Sequence, residues 1–207
     1  MKHRSPGKIV IISSPSGGGK TSICRRLLSP SRKRLGWKFS ISYTTRARRR
    51  GERDGREYCF VDKEKFTRLA RAGFFAEHCL VHLYHYGTPR RPLEEVATSG
   101  GVLILDVDVQ GAFKLKKAYP QAITIFVLPP SVAELRRRLK RRGTESQEQL
   151  AVRFRNSRRE MKLYPRFDYV VINDDLKRAV RQVLSILDGH FCRSERLDPE
   201  QMARITG

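Results

Sequence analysis

A glycine-rich run near the N-terminus has the residue types that bind phosphate. Gly17, Gly18 and Gly19 are followed directly by Lys20 and Thr21. Backbone N–H groups of such a turn, backed by a helix N-terminus, form a cradle for phosphate, and the lysine can reach transferring phosphoryl oxygens. The threonine hydroxyl can bind Mg²⁺, which bridges the β- and γ-phosphates of a nucleotide. The pattern predicts a nucleotide phosphate site; the alternative is a turn with a structural role only.

One position departs from the usual phosphate-loop pattern, GxxxxGK[ST]. The first glycine of that pattern is replaced here by Ser14. Glycine is needed there if the backbone adopts a positive φ or approaches its neighbours closely. We expect the small serine to fit, with weaker nucleotide binding.

Two carboxylates follow the apolar run from Val102 to Val107. Asp106 and Asp108 come at the end of this predicted buried strand. Ligands gather at the carboxyl ends of strands in open α/β sheets, so both side chains are expected beside the phosphate loop. Asp106 could hold the metal or its waters, whereas either aspartate could instead cap the following helix.

A basic segment between residues 42 and 58 offers a second phosphate site. Arg46 and Arg49, three residues apart, could both contact one phosphate through forked hydrogen bonds. A solvated charged face explains the same run, and spacing alone does not decide between the two.

The elements that must position these residues indicate an α/β fold with a parallel sheet. Apolar strands alternate with helical segments, which is typical of a parallel sheet covered on both faces. Asp174 is the expected N-cap of the last helix of this pattern. Shorter alternating pieces from Phe39 to Val81, with a helix over Lys63–Arg71, indicate a small mixed insertion. The expected strands are Lys8–Ile12, Val102–Val107, Ala122–Leu128 and Tyr169–Ile172, and the expected helices include Val109–Ala118, Ser131–Arg141 and one carrying Leu176 to Leu187.

Length and composition set the class of protein. The chain has 207 residues, 39% of them hydrophobic, which suffices for one domain with a sizeable core. Its 43 Lys and Arg against 21 Asp and Glu leave a net charge of +22, which suggests nucleic acid, an acidic membrane or phosphorylated small molecules as partner. No apolar run reaches membrane-spanning length, so a soluble, cytoplasmic protein without membrane association is expected.

The cysteines and histidines do not form a recognisable metal motif. The cysteines are scattered without a CxxC pair, which favours reduced, packed thiols over disulfides. A cluster near the end of the insertion has zinc-ligand residue types but no zinc-site spacing, so structural packing is the preferred interpretation. The residues concerned are His78, Cys79, His82 and His85, with Cys24, Cys59 and Cys192 elsewhere in the chain.

Five motifs follow one another over nearly the whole chain: Pro15–Lys20, Thr44–Arg49, Tyr86–Pro89, Leu105–Gly111 and Asn173–Leu176. Together they resemble the guanylate kinase family. Tyr43 departs from that family's pattern, because it is bulkier than the small residue expected beside Ser42.

The resemblance implies a fold, domain bounds and a reaction. The fold is the P-loop nucleoside-monophosphate kinase core: a parallel sheet flanked by helices, with a small mixed α/β GMP-binding insertion and a helical lid. The implied core comprises residues 1–37, 89–141 and 161–207, the insertion 38–88 and the lid 142–160. The implied reaction is ATP + GMP ⇌ ADP + GDP with Mg²⁺, and dGMP is a further acceptor.

The resemblance also implies roles for individual residues. The GMP phosphate is held by Arg46, Arg49, Tyr58 and Tyr86, and guanine is read by Ser42, Glu77 and Thr88, with Asp106 and Asp108 nearby. ATP is bound by Pro15, Ser16, Gly17, Gly18, Gly19, Lys20, Thr21 and Ser22, with Arg138, Arg142, Arg153 and Asn173 near its phosphates and adenine. Lys20, Arg46, Arg138 and Arg153 are expected to align and neutralise the reacting phosphates without a general base, and Thr21 and Asp106 to hold Mg²⁺.

Other functions stay open at this stage. A guanylate-kinase-like module that binds without catalysis would be expected to lack the working Gly19-Lys20-Thr21 sequence. A kinase of another phosphorylated small molecule is a second alternative. A nucleic-acid-dependent ATPase rests on the net charge alone, and nucleic acid is not required by the kinase interpretation. The sequence does not indicate an oligomeric state.

Overall fold

The computed structural model describes residues 7–49, 51–81, 83–141, 147–194 and 199–207, which form an α/β fold. Its strands are β1 (Lys8–Ser13), β2 (Trp37–Ser40), β3 (Tyr43–Thr44), β4 (Cys59–Phe60), β5 (Phe75–Val81), β6 (Tyr84–Pro89), β7 (Val102–Asp106), β8 (Ile123–Leu128) and β9 (Tyr169–Ile172). Its helices are α1 (Lys20–Leu27), α2 (Pro30–Arg34), α3 (Lys63–Arg71), α4 (Arg91–Ser99), α5 (Val109–Ala118), α6 (Val132–Lys140), α7 (Gln147–Met161), α8 (Leu176–Phe191) and α9 (Pro199–Thr206), with a 3₁₀ turn at Tyr164–Arg166.

The core is a parallel sheet in the order β2-β7-β1-β8-β9. Both of its faces are covered, which explains why its central strands are apolar throughout. Val10 and Ile12 of β1 pack with α1 and α8, whereas Ile11 packs on the opposite face with α4 and α5. The parallel sheet flanked by helices is the fold predicted from the sequence.

A second, four-stranded sheet in the order β4-β3-β6-β5 forms the insertion with α3. Tyr43 of β3 packs edge-on against Phe74 and Phe75, with ring centroids 5.2 and 5.6 Å apart, so its bulk fills an aromatic cluster. The segment Trp37–Ser40, by contrast, pairs with β7 of the core sheet. The start of the alternating region predicted from Phe39 to Val81 is therefore divided between two sheets.

The N-cap predicted for the last core helix was wrong by one residue. Asp175 Oδ1 accepts a hydrogen bond from the Arg178 backbone N–H at 2.8 Å, and α8 begins at Leu176. A cap must reach the N–H three residues ahead. Asp174 Oδ1 instead accepts from the Asp175 N–H, and its carboxylate pairs with the Arg178 side chain.

The helices α6 and α7 flank residues 142–146. Arg142, Gly143 and Thr144 lie outside the described residues, as does Arg50 in the insertion. Helix α7 begins at Gln147, within the segment expected to form the lid. None of the helices described is both long and apolar enough to span a bilayer.

Candidate active site

The carboxyl ends of β1 and β7 lie side by side, because Ile12 is the sheet partner of Asp106. The phosphate loop leaves β1 at this edge, as the sequence predicted for an open parallel sheet. A cavity of about 890 Å³ opens there, between the core, the insertion and α7. Among the residues predicted for the site, the lining contains Ser16, Gly17, Gly19, Lys20, Thr21, Ser22, Ser42, Arg46, Arg49, Tyr58, Glu77, Tyr86, Asp106, Asp108 and Arg153.

The phosphate loop has the tight geometry that its glycines allow. Gly19 has φ +92° directly before α1, a conformation that costs glycine little. A Cβ on Gly18 would lie 2.7 Å from Cβ of Ser14, so this position also requires glycine. Ser14 itself has no positive φ, and its Oγ donates to the Pro15 carbonyl at 2.9 Å. Serine is therefore compatible with the first position of this loop.

Lys20, Thr21 and Asp106 meet at the end of the loop. Lys20 Nζ lies 3.2 Å from Asp106 Oδ1, and Thr21 Oγ1 donates to Asp106 Oδ2 at 2.6 Å. Burial opposes the charge of Lys20, but the adjacent carboxylate outweighs it and raises the pKa of the lysine above its usual range. The lysine is thus a permanent cation beside two oxygen donors of the kind that Mg²⁺ prefers.

The insertion adds a second cationic wall. Arg46 is 7% exposed, and its Nη2 donates to both carboxylate oxygens of Glu52, at 2.9 and 3.1 Å. Its guanidinium also lies 5.5 Å from the ring centroid of Tyr58. Burial and the nearby Asp106 carboxylate raise the pKa of Tyr58 to about 12, so its hydroxyl stays a neutral hydrogen-bond donor. Arg49 and Tyr86 line the same wall.

A buried carboxylate of the insertion also lines the cavity. Glu77 is 6% exposed, and its Oε1 accepts a hydrogen bond from Thr88 Oγ1 at 2.7 Å. Its Oε2 is buried and has no hydrogen-bond partner among the described residues. Burial raises the pKa of Glu77 to about 7; the Thr88 hydroxyl opposes this rise and the Asp108 carboxylate adds to it. Such a group is unusually ready to accept donors from a ligand.

Thr88 and Asp108 have structural contacts of their own. Thr88 is fully buried and contacts Glu77, and among the described residues it is not part of the cavity lining. Asp108 caps α5 through its Oδ1, which accepts from the Gly111 N–H at 2.9 Å and from Cys79 Sγ at 3.3 Å. The capping alternative for Asp108 is therefore present in the structure, although its side chain also faces the cavity.

Arg138 and Asn173 contact the phosphate loop. Arg138 Nη2 donates to the Asn173 carbonyl at 2.8 Å, and its Nη1 lies 3.4 Å from the Gly18 carbonyl. Asn173 Nδ2 donates to the same Gly18 oxygen at 2.9 Å. The described lining contains neither residue, nor Pro15, Gly18 or Thr88. Arg142, predicted to approach ATP, lies outside the described residues.

The described members of the His/Cys cluster occupy two faces of the hairpin. His78 and His85 both pack around the Phe66 ring, with centroids 6.3 and 5.3 Å away. Cys79 is on the other face, in the cavity beside Asp108. His82 lies outside the described residues.

Sequence reasoning missed two site residues, Ser157 and Glu160 on α7. Both contact Ser16 of the phosphate loop, as does Arg153, and Glu160 also lines the cavity. The available signal was their spacing, since residues four and seven after Arg153 share its helix face.

A parallel sheet, a glycine-rich phosphate loop with its lysine, and an arginine-lined insertion over one shared cavity define a P-loop kinase. A family profile described as guanylate kinase matches residues 6–190. The chain belongs to the guanylate kinase family.

Individual relatives agree with this assignment. The chain is 41% identical to a guanylate kinase of Caldanaerobacter subterraneus subsp. tengcongensis over 95% of this chain and 94% of the relative. It is 44% identical to one of Syntrophotalea carbinolica over 94% and 91% of the two chains. The crystal structure of guanylate kinase from Anaplasma phagocytophilum superposes with a TM-score of 0.79 at 32% identity, covering 96% of this chain and 94% of that one.

Proposed function

We propose that this protein transfers the γ-phosphoryl group of ATP to GMP, and to dGMP, giving ADP and GDP or dGDP. The observation that carries the proposal is Glu77, whose buried carboxylate keeps one oxygen without a described partner in the cavity that also contains the phosphate loop. Family membership and the intact Gly19-Lys20-Thr21 sequence support a working enzyme rather than a binding module.

Guanine matches the chemistry of Glu77. Its N1–H and N2 amino group offer two donors on one edge, which a single carboxylate can accept together. Adenine lacks that pair, so AMP would leave Oε2 of the desolvated carboxylate without a partner, at a cost of about 1–3 kcal/mol or more. Ser42 is available to the O6 side of the base, whereas Thr88 would act by orienting Glu77, because its hydroxyl donates to Oε1.

The cations around the cavity suit the remaining chemistry. In phosphoryl transfer the protein mainly aligns two polyanions and stabilises charge on the equatorial oxygens. We assign Arg46, Arg49, Tyr58 and Tyr86 to the GMP phosphate, and Lys20 and Arg153 to the transferring group. Because Arg138 and Asn173 contact Gly18, their proposed contribution is to hold the ATP loop in shape.

The residues at the loop also fit Mg²⁺. The Thr21 hydroxyl and the Asp106 carboxylate are hard oxygen donors on adjacent elements, and they already share a hydrogen bond. We propose that these two residues hold the ion or its waters. When bound, Mg²⁺ supplies charge neutralisation and orientation to the ATP phosphates.

Two further segments, the insertion and the expected lid, receive roles in substrate binding. We propose that the insertion, expected at residues 38–88, binds GMP, and that residues 142–160 cover ATP. Because β2 pairs within the core sheet, the insertion's own sheet begins after Ser40. All four cysteines are free thiols, which suits the reducing cytoplasm that we propose as the protein's location.

An acceptor series tests the proposal. Purified protein is incubated with ATP and Mg²⁺, together with GMP, dGMP, AMP or RNA in turn, and ADP release is followed. We expect rapid release with GMP and dGMP and only background release with AMP or RNA. No acceleration by GMP would refute the proposed function, and acceleration by RNA alone would favour a nucleic-acid-dependent ATPase.

A further inference from the structure

One face of α7 contacts each polar group of Ser16 in the phosphate loop. Arg153 Nη2 donates to Ser16 Oγ at 2.5 Å, and Ser157 Oγ lies 3.3 Å from the Ser16 carbonyl oxygen. The Ser16 backbone N–H points to Glu160 Oε2, with N and O 3.4 Å apart. Spacings of four and seven residues place Arg153, Ser157 and Glu160 on one face of the helix. Three residues on one face of α7 therefore hold the helix against Ser16.

The environment of this contact makes its polar groups sensitive to loss of a partner. Ser157 is fully buried, and Glu160 lines the cavity with Ser16 and Arg153. Burial raises the pKa of Glu160, and the Ser16 N–H opposes that rise. A buried polar group that loses its partner carries its full desolvation cost, so these contacts specify one position of α7 on the loop.

The position of α7 determines where Arg153 lies. An arginine side chain is long and has many rotamers, so its guanidinium must be held in place to meet a transferring phosphate efficiently. We propose that Glu160 and Ser157 are positioning residues for phosphoryl transfer: they fix α7 on Ser16 and thereby hold Arg153 at the edge of the phosphate loop. This inference rests on the proposed function, because ATP-dependent phosphorylation of GMP is its readout.

Another role for Glu160 makes a different prediction. Its carboxylate contacts an N–H of a loop that binds phosphate, so it could act as an internal competitor of ATP. A competitor would raise the KM for ATP, and its removal would lower that KM while kcat stayed constant. A positioning residue affects kcat and acts through Arg153.

A double-mutant cycle separates these roles. Glu160→Ala and Arg153→Ala are each expected to lower kcat by roughly 10- to 100-fold, with the KM for GMP unchanged. In the Arg153→Ala background, Glu160→Ala should cause no further loss, because there is no guanidinium left to position. Glu160→Gln keeps an acceptor for the Ser16 N–H and should restore most of kcat. Ser157→Ala should show a smaller loss with the same non-additivity, and it provides the cycle if Glu160→Ala does not fold.

Arg159→Ala is the matched control, since Arg159 is an exposed neighbour of Glu160 on α7. It should leave kcat unchanged. Additive losses in the cycle, or a lower KM for ATP at constant kcat in Glu160→Ala, would overturn the inference while leaving the proposed function intact. A wild-type protein with no GMP-dependent turnover would overturn both.

Discussion

The cavity has a phosphate end, formed by Lys20, Thr21 and Asp106, and a base end around Glu77, and the two differ in how their buried charges are balanced. At the phosphate end, Asp106 Oδ2 accepts a hydrogen bond from the Thr21 hydroxyl at 2.6 Å, and Oδ1, which has no hydrogen bond among the described residues, is neutralised by the Lys20 ammonium 3.2 Å away. At the base end, Glu77 has one oxygen bonded to Thr88 and the other without a described partner. Lys20 stays ionised beside Asp106 and can bind a polyphosphate. The Glu77 carboxylate, by contrast, gains stability only when a ligand supplies suitable donors. We therefore propose that affinity for phosphate and choice of base reside in different parts of the molecule.

Removing the central cation of the phosphate end should have the largest effect. Lys20→Met is expected to lower kcat by about 100- to 1000-fold, because a cation aimed at the transferring phosphoryl group is lost. Steady-state kinetics with GMP measure the effect, and circular dichroism checks the fold. Lys38→Met, at an exposed position of β2, is the matched control. Near wild-type kcat in Lys20→Met would contradict the mechanism.

Changing the base end should affect the choice of substrate. Glu77→Gln is expected to lower kcat/KM for GMP by about 100-fold, because the amide presents one acceptor and a repelling NH₂ to the two guanine donors. Activity with AMP should not fall, so the ratio of kcat/KM for GMP to that for AMP should decrease. The comparison is with Glu64→Gln, an exposed carboxylate on α3. A preference for GMP that survived Glu77→Gln unchanged would place base recognition elsewhere.

The pH dependence of GMP binding should follow the base end. Burial raises the pKa of Glu77 to about 7, and only the ionised form accepts both guanine donors. Below that pH the KM for GMP should rise by about tenfold per pH unit, because Glu77 is protonated in the protein without GMP. The phosphate of GMP itself titrates near pH 6, so a smaller pH dependence of the KM, due to the nucleotide alone, should remain in Glu77→Gln. An equal pH profile in the variant and the wild type would exclude Glu77 as the titrating group.

The ionised carboxylate of Glu77 should also lower the stability of the folded protein. The folded pKa of Glu77 lies above its value in the unfolded chain, so the ionised side chain destabilises the fold once pH rises through the range between the two values. Glu77→Gln should therefore raise Tm by a few degrees at pH 8, and the gain should vanish at pH 4. Thermal melts of both proteins at the two pH values measure it. A lower Tm in the variant at pH 8 would show that Glu77 is matched by contacts outside those described.

The smallest effect is expected at Ser14. Its φ is not positive, so glycine is not required there, and Ser14→Gly should change the KM for ATP by no more than about twofold. Kinetics at saturating GMP provide the measurement. A large gain in ATP affinity would indicate that the serine impairs the loop.

Much of the core was predictable because its signals are local. Buried strands are apolar without alternation, and the glycine run between β1 and α1 identifies the phosphate loop without knowledge of the rest of the fold. The helix over Lys63–Arg71 was predicted with the bounds that the structure gives it. These features depend on neighbouring residues in the chain, which a sequence displays directly.

The remaining features depend on tertiary partners. Nothing in Trp37–Ser40 shows that it pairs with β7, and the single-residue error at the α8 cap arose because two aspartates are adjacent. Thr88 has the residue type of a base contact, but its position behind Glu77 follows from the pairing of β5 with β6. Ser157 and Glu160 share a helix face with Arg153, yet their target, Ser16, is more than 140 positions away in the sequence.

In the proposed function, the base end selects guanine before any chemistry occurs. The most direct test of this selection is calorimetric binding of GMP and AMP to the wild-type protein at pH 8, without ATP. GMP should bind with an affinity about 100-fold or more above that of AMP, and Glu77→Gln should remove most of the difference. Equal affinities of the wild-type protein for the two nucleotides would contradict the account.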